Sequence, residues 1–204
     1  VDEIKEFRAP NEEPLGEDTR QQHPYIALEV RGSISVPNFM ESDDFLNGEY
    51  RLRRDDAGQV ISVGTTEAPF WLRIPHRALS GEPHGVIIYG HGQLYSGAEV
   101  RMADKGPVAQ EGAYIYLGTD LWGMSEADLP IIPLTLNEMS RFRAIAERLH
   151  QGVFNTLALA RFASTSLGTQ TWLNERGISI DLERLVYGGI SQGGIFGPTI
   201  LALS

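Results

Sequence analysis

The tightest constraint on this chain sits near its end, where an apolar run, Val186-Tyr187-Gly188-Gly189-Ile190, passes at once into Ser191-Gln192-Gly193-Gly194 and an apolar stretch to Ser204. A short run of that kind reads as a strand covered on both faces of a parallel sheet, and the stretch after it reads as a helix. Gly189-Ile190-Ser191-Gln192-Gly193 therefore fits G-x-S-x-G at a strand-to-helix turn, with the serine held at the apex in a strained backbone conformation. Positions 189 and 193 must be small, because a side chain there would collide with the neighbouring strand and helix. The outcome is a serine hydroxyl exposed beside a helix N-terminus.

The chain upstream supports that setting. Gly85-Val86-Ile87-Ile88-Tyr89 and Ala113-Tyr114-Ile115-Tyr116-Leu117 read as two further buried strands, with a helix expected over residues 97–111 between them. Leu136, Met139, Phe142, Ile145, Leu149, Val153 and Leu157 fall at three- and four-residue steps, which predicts one long amphipathic helix to about residue 163. Residues 121–133 read as a loop. Residues 85–204 are thus the α/β core. Residues 25–84 read as a smaller antiparallel opening of three or four strands: 25–36, a pair over 50–54 and 59–63 around the Asp55-Asp56-Ala57-Gly58 turn, and 70–74. Residues 1–24, acidic and rich in Pro and Gly, are expected to wrap the surface or stay mobile. The predicted fold class is an open, mainly parallel α/β sheet with helices on both faces, preceded by the antiparallel portion.

A formal net charge of −10 argues against a nucleic-acid or anionic membrane surface, leaving a neutral or cationic small molecule as the easier partner. With no cysteine, disulfides, thiolate metal sites and cysteine nucleophiles are excluded. No apolar run is long enough to cross a membrane, and the polar start does not read as a signal peptide; a first residue other than Met fits a processed mature end or, equally, a trimmed one.

A second motif, Tyr89-Gly90-His91-Gly92-Gln93, follows the first buried strand. Acyl transfer places negative charge on the former carbonyl oxygen, and two backbone N–H groups aimed at that point lower the barrier. One donor is expected at Gln192, the residue after the serine, and the other in this glycine-containing loop. Together, Gly90-His91-Gly92-Gln93 and Gly189-Ile190-Ser191-Gln192-Gly193-Gly194 resemble the α/β-hydrolase superfamily, particularly secreted bacterial lipases and esterases. The resemblance spans residues 85–204. It implies that Ser191 is the nucleophile, that the amides of Gln93 and Gln192 form the oxyanion hole, and that the enzyme cleaves a carboxylic ester of a small acyl substrate through an acyl-enzyme. It also implies a secreted or periplasmic setting, and no cofactor or metal is required. An amidase, peptidase or acyltransferase could use the same apparatus, and a non-catalytic binding protein could retain the fold.

Such enzymes place an Asp or Glu and then a His after the nucleophile, yet none of the residues after Ser191 is Asp, Glu or His. The sheet is expected to be incomplete in this chain. The acid and histidine are then expected from a second polypeptide cut from the same precursor, or from the continuation of an uncut chain. The five histidines, His23, His76, His84, His91 and His150, all precede Ser191. His91 is expected to tie the oxyanion loop together and His150 to sit on a helix face. Asp120 ends a strand where ligands bind in open sheets, so it is a candidate substrate contact or a loop cap. Trp122 and Met124 are candidates for an acyl pocket or for core packing. Glu126 and Asp128 read as a solvated loop.

Overall fold

The computed structural model describes residues 1–13, 18–42 and 50–204. Its six strands, β1 (Glu3–Glu6), β2 (Ile26–Asn38), β3 (Gly64–Pro75), β4 (His84–Gly90), β5 (Tyr114–Thr119) and β6 (Ile180–Gly189), form one open sheet in the order β1-β2-β3-β5-β4-β6. Pairing is antiparallel from β1 through β3 to β5 and parallel across β5, β4 and β6. Four strands, β2, β4, β5 and β6, consequently run in one direction. The α/β class, the antiparallel opening and the open sheet are as the sequence implies.

Helices cover both faces. α3 (Phe142–Thr165) lays Leu159 and Ala163 on one face, against Leu28, Val30, Phe70, Leu72, Ile74, Val86, Ile88, Ile115 and Leu117. On the other, Ala109 of α1 (Lys105–Gly112) and Val100 meet Ile26, Ile87, Tyr89 and Tyr116. The period-two alternation of Ile87 and Tyr89 against Val86 and Ile88 sends neighbouring side chains to opposite faces. That is why β4, buried at all seven residues, reads as a continuous apolar run. The remaining helices are α2 (Ile131–Asn137), the short α4 (Thr171–Asn174) and α5 (Gln192–Leu203).

Four expectations are corrected. Within the expected surface segment, Glu3–Glu6 add an edge strand, Glu3 opposite Arg31 through Glu6 opposite Leu28, because an edge strand needs only main-chain bonds and a single apolar anchor, here Ile4. Residues 14–17 of that segment lie outside the described residues. The pair over 50–54 and 59–63 makes only isolated bridges, Met40 with Leu52 and Arg54 with Val60. The Asp55–Gly58 turn does form, with Gly58 at φ 79°. Tyr50 and Leu52, however, turn away to pack with Met40, Ile131 and Ile145, and Leu52 N–H donates to the Glu147 carboxylate, leaving Val60, Ile61 and Val63 exposed with no apolar partner across the turn.

The helix expected over 97–111 splits into a 3₁₀ segment, Gly97–Arg101, and α1. The buried Arg73 guanidinium takes the carbonyls of Val100 (3.4 Å) and Met102 (2.9 Å), groups that a continuing helix would have used internally. The long helix expected from residue 136 is interrupted at Glu138, whose extended backbone (φ −135°, ψ 92°) separates α2 from the next turn while its carboxylate receives Ser140 Oγ and Arg141 Nε. Leu136 and Met139 are left exposed instead of joining the buried stripe.

β6 closes the sheet on one side. Its outer edge is unpaired among the described residues, and none of its residues is buried.

Candidate active site

Register brings the two motifs together. Tyr89 of β4 lies opposite Gly188 of β6 and Gly90 opposite Gly189, so both chains leave the sheet at the same level and side by side. The loop after β4 leads to the α1 face while β6 leads to α5 beside α3, which makes the gap between them a topological switch point of the open sheet.

Ser191 caps α5 at φ 50° and ψ −116° with its side chain exposed. Only three non-glycine residues with positive φ occur among the described residues, and two, Ser191 and Leu94 (φ 62°), belong to this pair of loops. Conformations of that kind cost about 1–3 kcal/mol each and persist only where the surroundings enforce them. Three glycines do the enforcing. A Cβ on Gly193 would stand 2.1 Å from Gly90 O, one on Gly189 would stand 2.7 Å from Gly193 C, and one on Gly90 would stand 2.1 Å from the Tyr187 hydroxyl. Backbone is thus packed directly on backbone where β4, β6 and α5 converge. Gly193 N–H donates to His91 O (3.0 Å) and Ile190 N–H to Gly90 O (3.2 Å), tying the elbow to the other loop. Gly92 differs: a Cβ there would meet nothing closer than 3.6 Å, so the fold itself does not demand glycine.

In the loop after β4, hydrogen bonds hold the backbone on both sides of Gln93. The buried His91 ring makes its Nδ1 bond to Gly92 O (2.7 Å) and receives Leu121 N–H on Nε2 (2.8 Å), which fixes the neutral tautomer that carries its proton on Nδ1. Gly92 N–H donates to Glu99 Oε2 (2.7 Å), Leu94 N–H to Met124 O (2.7 Å) and Tyr95 N–H to Gly92 O (3.2 Å). Among the described residues the N–H groups of Gln93 and Gln192 have no partner. The Gln192 side chain is buried beneath the elbow, with neither its Oε1 nor its Nε2 partnered.

Asp120, just past β5, accepts Gly97 N–H on Oδ1 (2.8 Å), and burial raises its carboxyl pKa despite that bond. Met124 packs beside Ile131 and Ile145, and the Arg148 guanidinium lies 4.8 Å from the Trp122 ring. Asp128 corrects the solvated-loop expectation. It is fully buried and accepts Arg148 Nε (2.6 Å), Gly123 N–H (2.8 Å), Ser125 N–H (2.9 Å) and Ser125 Oγ (2.6 Å), because the loop turns inward and needs an acceptor for its own amides.

The other histidines do not meet Ser191. His23, His76 and His84 lie at the opposite end of the sheet: His76 follows the last residue of β3, His84 begins β4, and His76 Nε2 bonds His23 O (2.9 Å). His150 is exposed on α3, its Nδ1 bonded to Ala146 O (2.9 Å).

Sequence reasoning gave no part in the site to three residues that shape it, Tyr187, Asp128 and Glu99. Tyr187 Oη donates to Gly193 O (2.8 Å), and burial pushes its hydroxyl up to about 12, so it remains a donor under the elbow. Nothing in its strand context distinguishes it. Asp128 did carry a signal, since Ser125 and Asp128 have capping-box spacing and form that box. Ser96 and Glu99 have similar spacing, but Glu99 turns to Gly92 instead.

No family model matches the chain, and no curated protein matches it. Among solved structures it is similar to a putative dienelactone hydrolase from Klebsiella pneumoniae subsp. pneumoniae MGH 78578, at 15% identity and a TM-score of 0.40, with 81% of this chain and 51% of that chain covered. The chain thus spans about half the length of that protein.

Proposed function

We propose that this chain carries the nucleophile and oxyanion hole of a serine hydrolase that cleaves a carboxylic ester through an acyl-enzyme. The observation that carries this reading is Ser191, an exposed serine held at φ 50° between β6 and the N-terminus of α5. Its hydroxyl attacks the ester carbonyl, the alcohol leaves, and water releases the acid. The free N–H groups of Gln93 and Gln192 receive the oxyanion, and the amides on either side of Gln93, those of Gly92 and Leu94, are already bonded. Asp120, Trp122 and Met124 are the nearest candidates for substrate contacts on the β5 side.

The general base and its acid come from outside residues 1–204, in a second polypeptide from the same precursor that also extends the sheet beyond β6. Two observations support this. The only histidine in the two loops, His91, has both ring nitrogens engaged. And α5, apolar all round its circumference, leaves Ile195, Leu201 and Leu203 exposed, although a helix of that kind belongs in an interior. The resemblance of the two motifs to those of secreted bacterial lipases and esterases is what supports a secreted or periplasmic location.

An organophosphonate probe and a denaturing gel test the reading together. In the complete active protein the probe labels Ser191, on one of two bands, and Ser191→Ala abolishes both labelling and short-chain ester hydrolysis without altering the circular dichroism. Labelling at another serine, or undiminished activity in the variant, overturns the nucleophile assignment, and a single longer band overturns the two-chain arrangement.

A further inference from the structure

We infer that Glu99 is a positioning residue for acyl transfer, fixing the peptide that carries the Gln93 amide. The inference rests on the serine-hydrolase reading above and concerns the same site.

Peptide geometry gives the reason. In a trans peptide the C=O and the following N–H point in opposite directions, so whatever holds Gly92 O aims Gln93 N–H the other way. Gly92 O is held by His91 Nδ1 and by Tyr95 N–H. Those two bonds hold the carbonyl end of the unit, and its position depends further on how the peptides on either side are held. Leu94 N–H is anchored to Met124 O on the downstream side. Upstream, the only anchor of Gly92 N–H among the described residues is the Glu99 carboxylate, at 2.7 Å. Three consecutive N–H groups therefore meet Glu99, nothing, and Met124 O, and the unpartnered one is clamped from both sides.

The identity of the residue adds to this. Glu99 is 8% exposed on a 3₁₀ turn and makes no ion pair among the described residues. A carboxylate buried without a cation is costly to the fold, and an apolar side chain would pack on that turn at less cost. Local rules broken without a gain in stability are found where a site requires them. At 2.7 Å the bond to Gly92 N–H is short, suited to holding the adjacent amide in place as an oxyanion develops. The bond also withdraws Gly92 N–H from competition for the substrate oxygen.

The effect belongs to the transition state, where the oxyanion exists, and not to substrate binding. In the complete active protein, Glu99→Ala is expected to lower kcat and the rate constant for phosphonate labelling of Ser191 by on the order of tenfold to a hundredfold, short of or equal to the loss of a whole oxyanion donor, with KM within about threefold. Glu99→Gln, whose amide oxygen accepts the same N–H, is expected to recover to within about fivefold of the parent. If Glu99→Ala does not accumulate folded, Glu99→Asp, one methylene too short to reach Gly92, takes its place with the same expectation. A lowered Tm with an unchanged labelling rate per folded molecule would show a merely structural role and overturn the inference. Equal losses in the Gln and Ala variants would overturn it too. Absence of labelling at Ser191 in the parent protein would instead sink the serine-hydrolase reading, whatever Glu99 does.

Discussion

β4 and β6 are hydrogen-bonded neighbours with similar apolar character, but one is sealed and the other is open. β4 has a strand on either side, α1 on one face and α3 on the other, and all seven of its residues are buried. Among the described residues β6 has a neighbour only at β4; Leu185 and Tyr187 pack toward α3, while Val186 (41% exposed), turned to the opposite face, meets solvent. The chemistry divides the same way. The loop after β4 is bonded at His91, Gly92, Leu94 and Tyr95, whereas the elbow after β6 presents an exposed serine beside an uncovered helix. On the serine-hydrolase reading proposed above, the bonded loop holds an oxyanion donor in place, and the open side is where a base and an acid would have to arrive.

The largest effect is expected where the sealed strand meets the elbow. Gly193→Ala forces a Cβ to within 2.1 Å of Gly90 O and 2.3 Å of Gly90 C, and neither is a side chain that can swing away. Either α5 leaves β4 or the elbow unwinds, so the variant is expected to lose more than about 4 kcal/mol or to yield no folded protein, read by denaturant unfolding. Gly92→Ala is the matched comparison, since its Cβ would meet only ordinary contacts from 3.6 Å. A stable Gly193→Ala protein would mean that the convergence of β4, β6 and α5 is looser than its geometry.

That contrast between glycines also marks how far the sequence could be read. The elbow, the buried strands and the loop after β4 are legible because they rest on local rules: a covered strand has no polar face, and a strained turn tolerates only small flanks. The split helix over residues 97–112 is not legible, because its cause, Arg73, lies on β3, remote in sequence. The burial of Asp128 depends likewise on Arg148, twenty residues away. Glu99 and Tyr187 act through single bonds to backbone atoms of other elements, and such bonds leave no periodicity behind.

A smaller effect is expected on the sealed side, at Asp120. Burial raises its folded-state pKa above 3.8, so the folded protein holds the proton to higher pH than the unfolded chain does. Stability from the protonated form is present at low pH and is lost as pH rises through the raised value. Asp120→Asn keeps an oxygen for Gly97 N–H and carries no charge. It should therefore be more stable than the parent at about pH 7, by on the order of 1 kcal/mol, with the gap closing toward about pH 4. Urea unfolding at the two pH values measures this, and a gap that widens on acidification would contradict it. Ester turnover within about threefold of the parent would class Asp120 as a loop cap, and a larger loss would make it a substrate contact.

The smallest effect on this chain's own fold is expected at the open strand. Val186 stands 41% exposed on β6, where a lysine side chain can extend into solvent without displacing a packed neighbour. Val186→Lys should therefore change the stability of the chain by no more than about 0.5 kcal/mol. Its effect on assembly should be far larger, because a charge on an edge strand is how natural sheets prevent another strand from pairing there. If a second polypeptide extends the sheet past β6, the variant loses that polypeptide on gel filtration, and with it ester hydrolysis, while Ser191 stays in place. An unchanged mass and unchanged specific activity in Val186→Lys would mean that the edge faces solvent in the working enzyme. The histidine and acid would then have to reach Ser191 from above the elbow, over the exposed side of α5, and not along the sheet.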